Sequence, residues 1–160
     1  MQRAKAQADL VVAVMHCGGQ NNEAPDAYTR YIASLLRANG ADLIVGHHPH
    51  VVQSCEKTDG VETVFCLGNL LCWPEEADEY NSQTYSAVLH AYVDEQKKRI
   101  DRLTFRIMKT VVADGKVRVW DGYTLCRTTS DEHERRLQVY YANKFVGRKQ
   151  FTDVQEEYPL

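Results

Sequence analysis

Four of the six histidines stand where an apolar run breaks at glycine: His16 in "VMHCGGQNNEAP" (14–25), and His47, His48 and His50 in "IVGHHPHVVQ" (44–53). Pro49 fixes its own φ and biases its predecessor toward extended backbone. Alternate residues of an extended chain point the same way, so the imidazoles of His48 and His50 are expected on one side. With His16 across a cleft they form a nitrogen-rich site suited to zinc, iron or manganese, or to a phosphate group. Gly46 permits a tight backbone turn just before them. A purely structural reading stands beside this one: His47 at the surface, His50 bonded to backbone at a strand end, His16 holding a loop. His90, inside "AVLHAYV", reads as structural, and His133 as a solvated residue in the first turn of a polar helix. Ser54, Ser82 and Ser86 lie in no Gly-x-Ser-x-Gly context, which argues against a serine hydrolase.

The elements that must carry these residues follow from pattern. Residues 8–15, "ADLVVAVM", form a continuous Val-rich run, as expected of a strand buried on both faces of a parallel sheet. Pro25 marks a first helical turn, Tyr28, Tyr31, Ile32, Leu35 and Leu36 recur at helical spacing, and Asn39 with Gly40 stops the helix. "DLIV" (42–45) is the next strand, so residues 8–46 read as a βαβ unit. A right-handed crossover puts both strand ends on one sheet edge, where open α/β sheets bind ligands. His16, Gly18 and Gly19 are therefore expected to meet Gly46, His47, His48 and His50. A third strand, "TVFCL" (63–67), ends the same way in Gly68 and Asn69.

The second half is β-rich. "YSAVLHAYVDE", "RLTFRIMKTVV" and "KVRVWDGYTL" read as strands, with a hairpin turn at Asp114–Gly115. Thr129 and Glu132 match a capping box opening a last helix. The longest loop is expected at 72–83, where Trp73 and Tyr80 either overhang a site or pack beneath the loop. The class is α/β (α+β), with the βαβ unit at 8–46 and a β-rich C-terminal part.

A length of 160 residues, 44% hydrophobic, with a net charge of −3, fits one ordinary globular core. No run approaches the ~18 apolar residues of a membrane span, and "MQRAKAQADL" lacks the apolar stretch of a signal peptide. No dense Lys/Arg block marks a nucleic-acid footprint, and "DEQKKRIDR" (94–102) reads as a solvated face. The five cysteines include no CxxC pair and are expected as reduced, mostly buried thiols. Cys17, beside a histidine, is the expected reactive exception.

"ADLVVAVMHCGG", "ANGADLIVGHHPHVVQ" and "VFCLGNLL" resemble, in order and spacing, three successive blocks of the bacterial CapA family of capsule and poly-γ-glutamate biosynthesis proteins. The resemblance covers residues 6–73 closely and the remainder loosely. That family is similar in fold to calcineurin-like metallophosphoesterases, which implies a partial metallophosphatase β-sandwich with flanking helices and a two-metal site of Mn, Fe or Zn. It implies metal ligation by His16, His48 and His50, a cleft-shaping role for Gly68 and Asn69, and a less secure position for His47. Where the family shows His-Trp-Gly-x-Glu, this chain has His16-Cys17-Gly18-Gly19-Gln20, losing a carboxylate. The family's earlier Asp, Gly-Asp and Gly-Asn-His blocks have no counterpart, so residues 1–160 are expected to be one incomplete domain, the C-terminal portion.

Three functions follow as expectations. The complete protein is a metal-dependent phosphoesterase-like hydrolase in polymer metabolism, or a non-catalytic envelope component that binds or exports an acidic polymer. Alternatively, this chain is an inactive fragment that needs a missing N-terminal half or a second copy. Its substrate is then a phosphoester or an acidic polymer, with no nucleic acid and no membrane span, at the cell envelope or in the cytoplasm.

Overall fold

In the computed structural model, which describes residues 1–73 and 82–160, a single helical turn α1 (Gln2–Lys5) precedes strand β1 (Val12–His16). Helix α2 (Ala27–Ala38) then leads into β2 (Leu43–His47). Asp26 caps α2 by accepting from the Thr29 N–H at 2.7 Å, and Gly40, at φ 95°, ends it in a conformation that side chains resist. The strands β1 and β2 pair in parallel from Val12↔Leu43 to His16↔His47, so the βαβ unit is present.

Two details differ from the sequence reading. The strand β1 lies at the end of the sheet order β1-β2-β4-β3, and only one of its faces is covered: Ala13 and Met15 are buried while Val12 and Val14 are 52% and 70% exposed. The helix face that packs is likewise not the most apolar one. Thr29 and Ala33 are buried with Ile32 and Leu36 beside them, and Tyr28, Tyr31 and Leu35 face outward.

The first sheet is completed by β3 (Cys55–Thr58) and β4 (Val61–Val64), an antiparallel hairpin whose turn residues Asp59 and Gly60 have φ of 51° and 79°. Asp-Gly is the residue pair such a turn selects. The third apolar run is thus a strand only at its start, and Phe65 to Leu67 continue beyond it.

The second sheet is antiparallel, with β5 (Tyr85–Asp94), β6 (Arg99–Ala113) and β7 (Lys116–Asp121) in order and the short β8 (Tyr158–Pro159) on β6. The Asp114–Gly115 turn is as expected, with φ of 54° and 67°. "DGYTL", read as the end of a strand, is instead the start of α3 (Gly122–Thr129), because Asp121 caps it by accepting from Thr124 N–H. The last helix α4 (Glu132–Phe145) is capped by Asp131 and not by Thr129, whose hydroxyl bonds back to Leu125 within α3. Tyr80 lies outside the described residues, and Trp73, 66% exposed, packs beneath nothing described. The class is α+β, consistent with a partial metallophosphatase-like fold, and no helix among the described residues is long and apolar enough to cross a membrane.

One cluster joins the sheets: Val52, Cys55 and Val64 meet Tyr85, Phe105, Ile107, Tyr141, Phe145, Phe151 and Tyr158. Phe105 lies 4.5 Å from the Phe145 ring and stacks on Tyr158 at 5.1 Å. Gly68 bridges to Ser86, and Ala87 N–H donates to Leu67 O at 2.7 Å, tying the loop after β4 to the second sheet.

His90 is structural, as expected. Its Nδ1 meets Glu157 at 2.7 Å, and the same carboxylate accepts from Thr104 and from Tyr92 at 3.0 Å. The Thr104 hydroxyl and then His90 hold the Glu157 pKa down to about 2 from an ordinary 4.5. The folded carboxylate gives up its proton more readily than the unfolded one. Its contribution is therefore present above pH 4.5 and lost as pH falls toward about 2. Glu157→Gln is expected to lower the melting temperature at pH 7 and to flatten the loss of stability between pH 4.5 and 2, measured by thermal melts across that range.

Candidate metal centre

Parallel pairing brings the histidines together by register. His16 ends β1 opposite His47 at the end of β2, and the chain then runs into His48, Pro49 and His50. Cys17 N–H donates to His47 O at 3.2 Å, carrying the pairing one residue past the strands. Two more bonds lock the loops: Asn21 N–H donates to Pro49 O at 2.9 Å, and the buried Gln53 donates through Nε2 to Asn22 O at 2.7 Å. The sequence reading missed Asn21, Asn22 and Gln53 because their partners lie about thirty residues away, and no local pattern announces them.

His16 Nε2 and His48 Nδ1 stand 3.1 Å apart, with ring centroids at 4.9 Å and planes at 71°. His48 and His50 have centroids 6.2 Å apart. His50 Nδ1–H donates to Asn69 Oδ1 at 2.8 Å, which fixes its tautomer and leaves Nε2 with the lone pair. Asn69 thus does more than shape the cleft. It orients one of the three imidazoles.

The backbone reaches this arrangement by a route other than the extended one expected. His48 has φ 104° and His50 φ 65°, both in the left-handed half that side chains other than glycine rarely occupy. Such conformations persist where surrounding bonds over-determine them, and they concentrate at functional sites. Pro49, held through its carbonyl by Asn21, supplies that constraint.

His47 remains beside the pair, half-buried. Burial, and next the charge of His16, lower its pKa, so it resists protonation. Cys17 is not the reactive thiol expected, since burial raises its pKa and with it the cost of forming thiolate. All five cysteines are free, with Cys55, Cys66 and Cys126 buried. Gly18 and Gly19 line the loop after His16, where a Cβ on Gly18 would approach Thr29 Oγ1 at 3.1 Å. His133 is half-buried rather than solvated and is no part of the site.

Two ligand nitrogens ~2.1 Å from one tetrahedral or octahedral ion lie ~3.0–3.4 Å apart, and the His16–His48 separation falls in that range. Among the described residues, however, no group of three or more His, Cys, Asp or Glu side chains could hold a metal ion. The donors fit one edge of a coordination sphere and do not close it.

Residues 1–73 match the family model described as "Bacterial capsule synthesis protein PGA_cap". This stretch, a little under half of the chain, is similar to the CapA family. Similar relatives include the "PGA biosynthesis protein CapA" of Bacillus subtilis (strain 168), 38% identical over 71 residues, and the "Capsule biosynthesis protein CapA" of Bacillus anthracis, 39% identical over 67. These alignments cover 44% and 42% of this chain, but only 19% and 16% of the two relatives. The CapA-like segment thus holds β1 through Trp73, including every histidine of the cleft, while the second sheet, α3 and α4 lie beyond it.

Gly46 makes this segment sensitive to a single methyl group. A Cβ there would stand 2.0 Å from the backbone oxygen of Phe65, which has no freedom to yield. Gly46→Ala is expected to cost about 3 kcal/mol or more in urea unfolding. Gly60→Ala, in an open turn with only a positive φ to resist it, is expected to cost about 1 kcal/mol.

Proposed function

We propose that this CapA-like chain contributes His16, His48 and His50 to a metallophosphoesterase-type metal cleft in a protein of capsule or poly-γ-glutamate biosynthesis, and that it is inactive alone. The contact between His16 Nε2 and His48 Nδ1 at 3.1 Å carries the reading, because it sets two donors at the spacing of ligands to one ion. Bound Mn, Fe or Zn would supply Lewis acidity toward a phosphoester and lower the pKa of a coordinated water. The chain's own part is narrower: His16 and His48 offer nitrogens, His50 is held in its tautomer by Asn69, and the Asn21–Pro49 bond keeps the two loops in register. The bridging carboxylate of a dinuclear site is then supplied by other polypeptide, either a preceding segment of a longer protein or a second copy.

The open edge of β1 is the place for that polypeptide. Cys17 N–H and Val11 O both turn toward β2. By the two-residue period of a strand, Val12, Val14 and His16 direct their amides to the free side. Exposed Val12 and Val14 continue the apolar surface up to His16. An added strand would satisfy the edge amides and set its side chains beside Val12, Val14 and the histidines.

Two measurements follow. Calorimetry with manganese and zinc is expected to show weak binding by the isolated chain, further weakened in His16→Ala and His48→Ala. Tight binding of two ions by a monomer, or binding indifferent to both variants, overturns the proposal. Amide exchange combined with sedimentation is expected to show fast exchange at Val12 and Val14, or slow exchange only in a dimer. A monomer with slow exchange at both residues removes the need for a partner.

A further inference from the structure

Beyond the CapA-like segment the charge is distributed unevenly. From Arg135 to Thr152 the sequence carries five Lys/Arg residues and no Asp or Glu, in a chain whose net charge is −3. The fold gathers this stretch into a groove of about 730 Å³, lined by Arg136, Lys144, Arg148 and Lys149 around Tyr140 and Phe151. One wall is α4, on which Arg136, Tyr140, Asn143 and Lys144 recur at helical spacing along one face. The other wall is residues 147–152. Asn143 holds them there, its Oδ1 accepting from the Gln150 and Phe151 N–H groups at 2.7 and 2.8 Å and its Nδ2 donating to Phe151 O at 2.9 Å. The groove is therefore pre-formed, which spares a ligand the cost of ordering it.

Cations near a helix C-terminus are partly explained by the helix dipole. That accounts for Lys144, Arg148 and Lys149. It does not reach Arg136, two turns upstream and exposed, nor does it explain the absence of carboxylates from the lining. Of the five, Arg135 is paired with Asp153, Lys144 with Glu23, and Arg148 donates through Nε to Gln150 at 2.8 Å and lies in the field of Glu62, so the exposed Arg136 and Lys149 are the cations on which binding of an anion would rest. The distance along α4 from Arg136 to Lys144 is about 12 Å, room for about two units of an extended γ-linked polymer.

We infer that this groove binds a strand of acidic polymer, a polycarboxylate of the poly-γ-glutamate type, separately from the histidine cleft. The choice of polymer rests on the capsule-synthesis reading above; the charge and shape of the site do not. Arginine takes carboxylates in paired hydrogen bonds, and the floor of Val139, Tyr140 and Phe151 suits the methylene groups between them. A single exposed ring, Tyr140, is too little for a base-stacking track of the kind that binds single-stranded nucleic acid.

The test is binding of fluorescently labelled poly-γ-glutamate to the whole chain in EDTA, at low and high salt, so that failure of the metal reading leaves the measurement intact. Binding is expected, weakening with salt and falling about tenfold in Arg136→Gln/Lys149→Gln, as for the loss of two charge-assisted contacts partly screened by water. The control Lys97→Gln/Lys98→Gln, on the β5–β6 turn and outside the groove's lining, is expected to bind as the parent does, and circular dichroism checks that each variant is folded. An unchanged affinity in the groove variant overturns the inference. So does equal affinity for a charge-matched oligonucleotide, which would make the groove a general polyanion surface. Loss in His16→Ala with the groove variant unaffected would place the polymer in the histidine cleft and overturn it as well.

Discussion

The parallel pairing of β1 with β2 is the constraint from which the cleft follows. Two strands that run the same way, joined by α2, must deliver their ends to one edge, and the register His16↔His47 fixes which residues arrive together. That pairing depends on close approach beneath it. Gly46 lies opposite Met15 and lets the Phe65 carbonyl into the space a side chain would fill, so that the sheet stays closed just before the histidines begin. The core cluster under α2, with Ala13, Met15, Ile44 and Phe65, then holds this end rigid.

On that base the loops are fixed by polar bonds rather than by apolar burial. Asn21 to Pro49, Gln53 to Asn22 and His50 to Asn69 each join segments distant in sequence. They over-determine a backbone in which His48 and His50 both hold positive φ. A loop free to relax would abandon such conformations, and keeping them costs of order 1–3 kcal/mol at each position. The cost is coherent for a site that presents imidazole nitrogens at ligand spacing, and it has no evident purpose for a surface turn.

The second sheet has a different task. Its aromatic cluster, Tyr85, Phe105, Tyr158 and their α4 partners Tyr141 and Phe145, anchors α4 and the strand β8 and covers the β3–β4 side of the first sheet. It does not reach the outer face of β1, where Val12 and Val14 remain exposed. The molecule is accordingly well closed at one end and open beside the histidines. The cationic groove on α4 belongs to the closed part, on the stretch beyond the CapA-like match.

The sequence by itself determined what depends on local chemistry. The Val-rich runs became strands, Asn39 and Gly40 ended a helix, Asp114–Gly115 made a hairpin, and the order strand, helix, strand sufficed to bring His16 to His48. It misplaced what depends on competition between neighbours: Asp131 displaced Thr129 as the cap because its carboxylate reaches two amides at once, and Asp121 turned an apparent strand into α3. Tertiary structure alone decided that β1 is an edge with one bare face, since an apolar run reads the same whether or not a neighbour covers it. It also decided that His48 and His50 leave extended geometry, because the bonds that hold them come from residues about twenty to thirty positions away. The basic groove was hidden for a related reason. Its cations are scattered over two helical turns and a return segment, and only the fold back onto α4 sets them around one space.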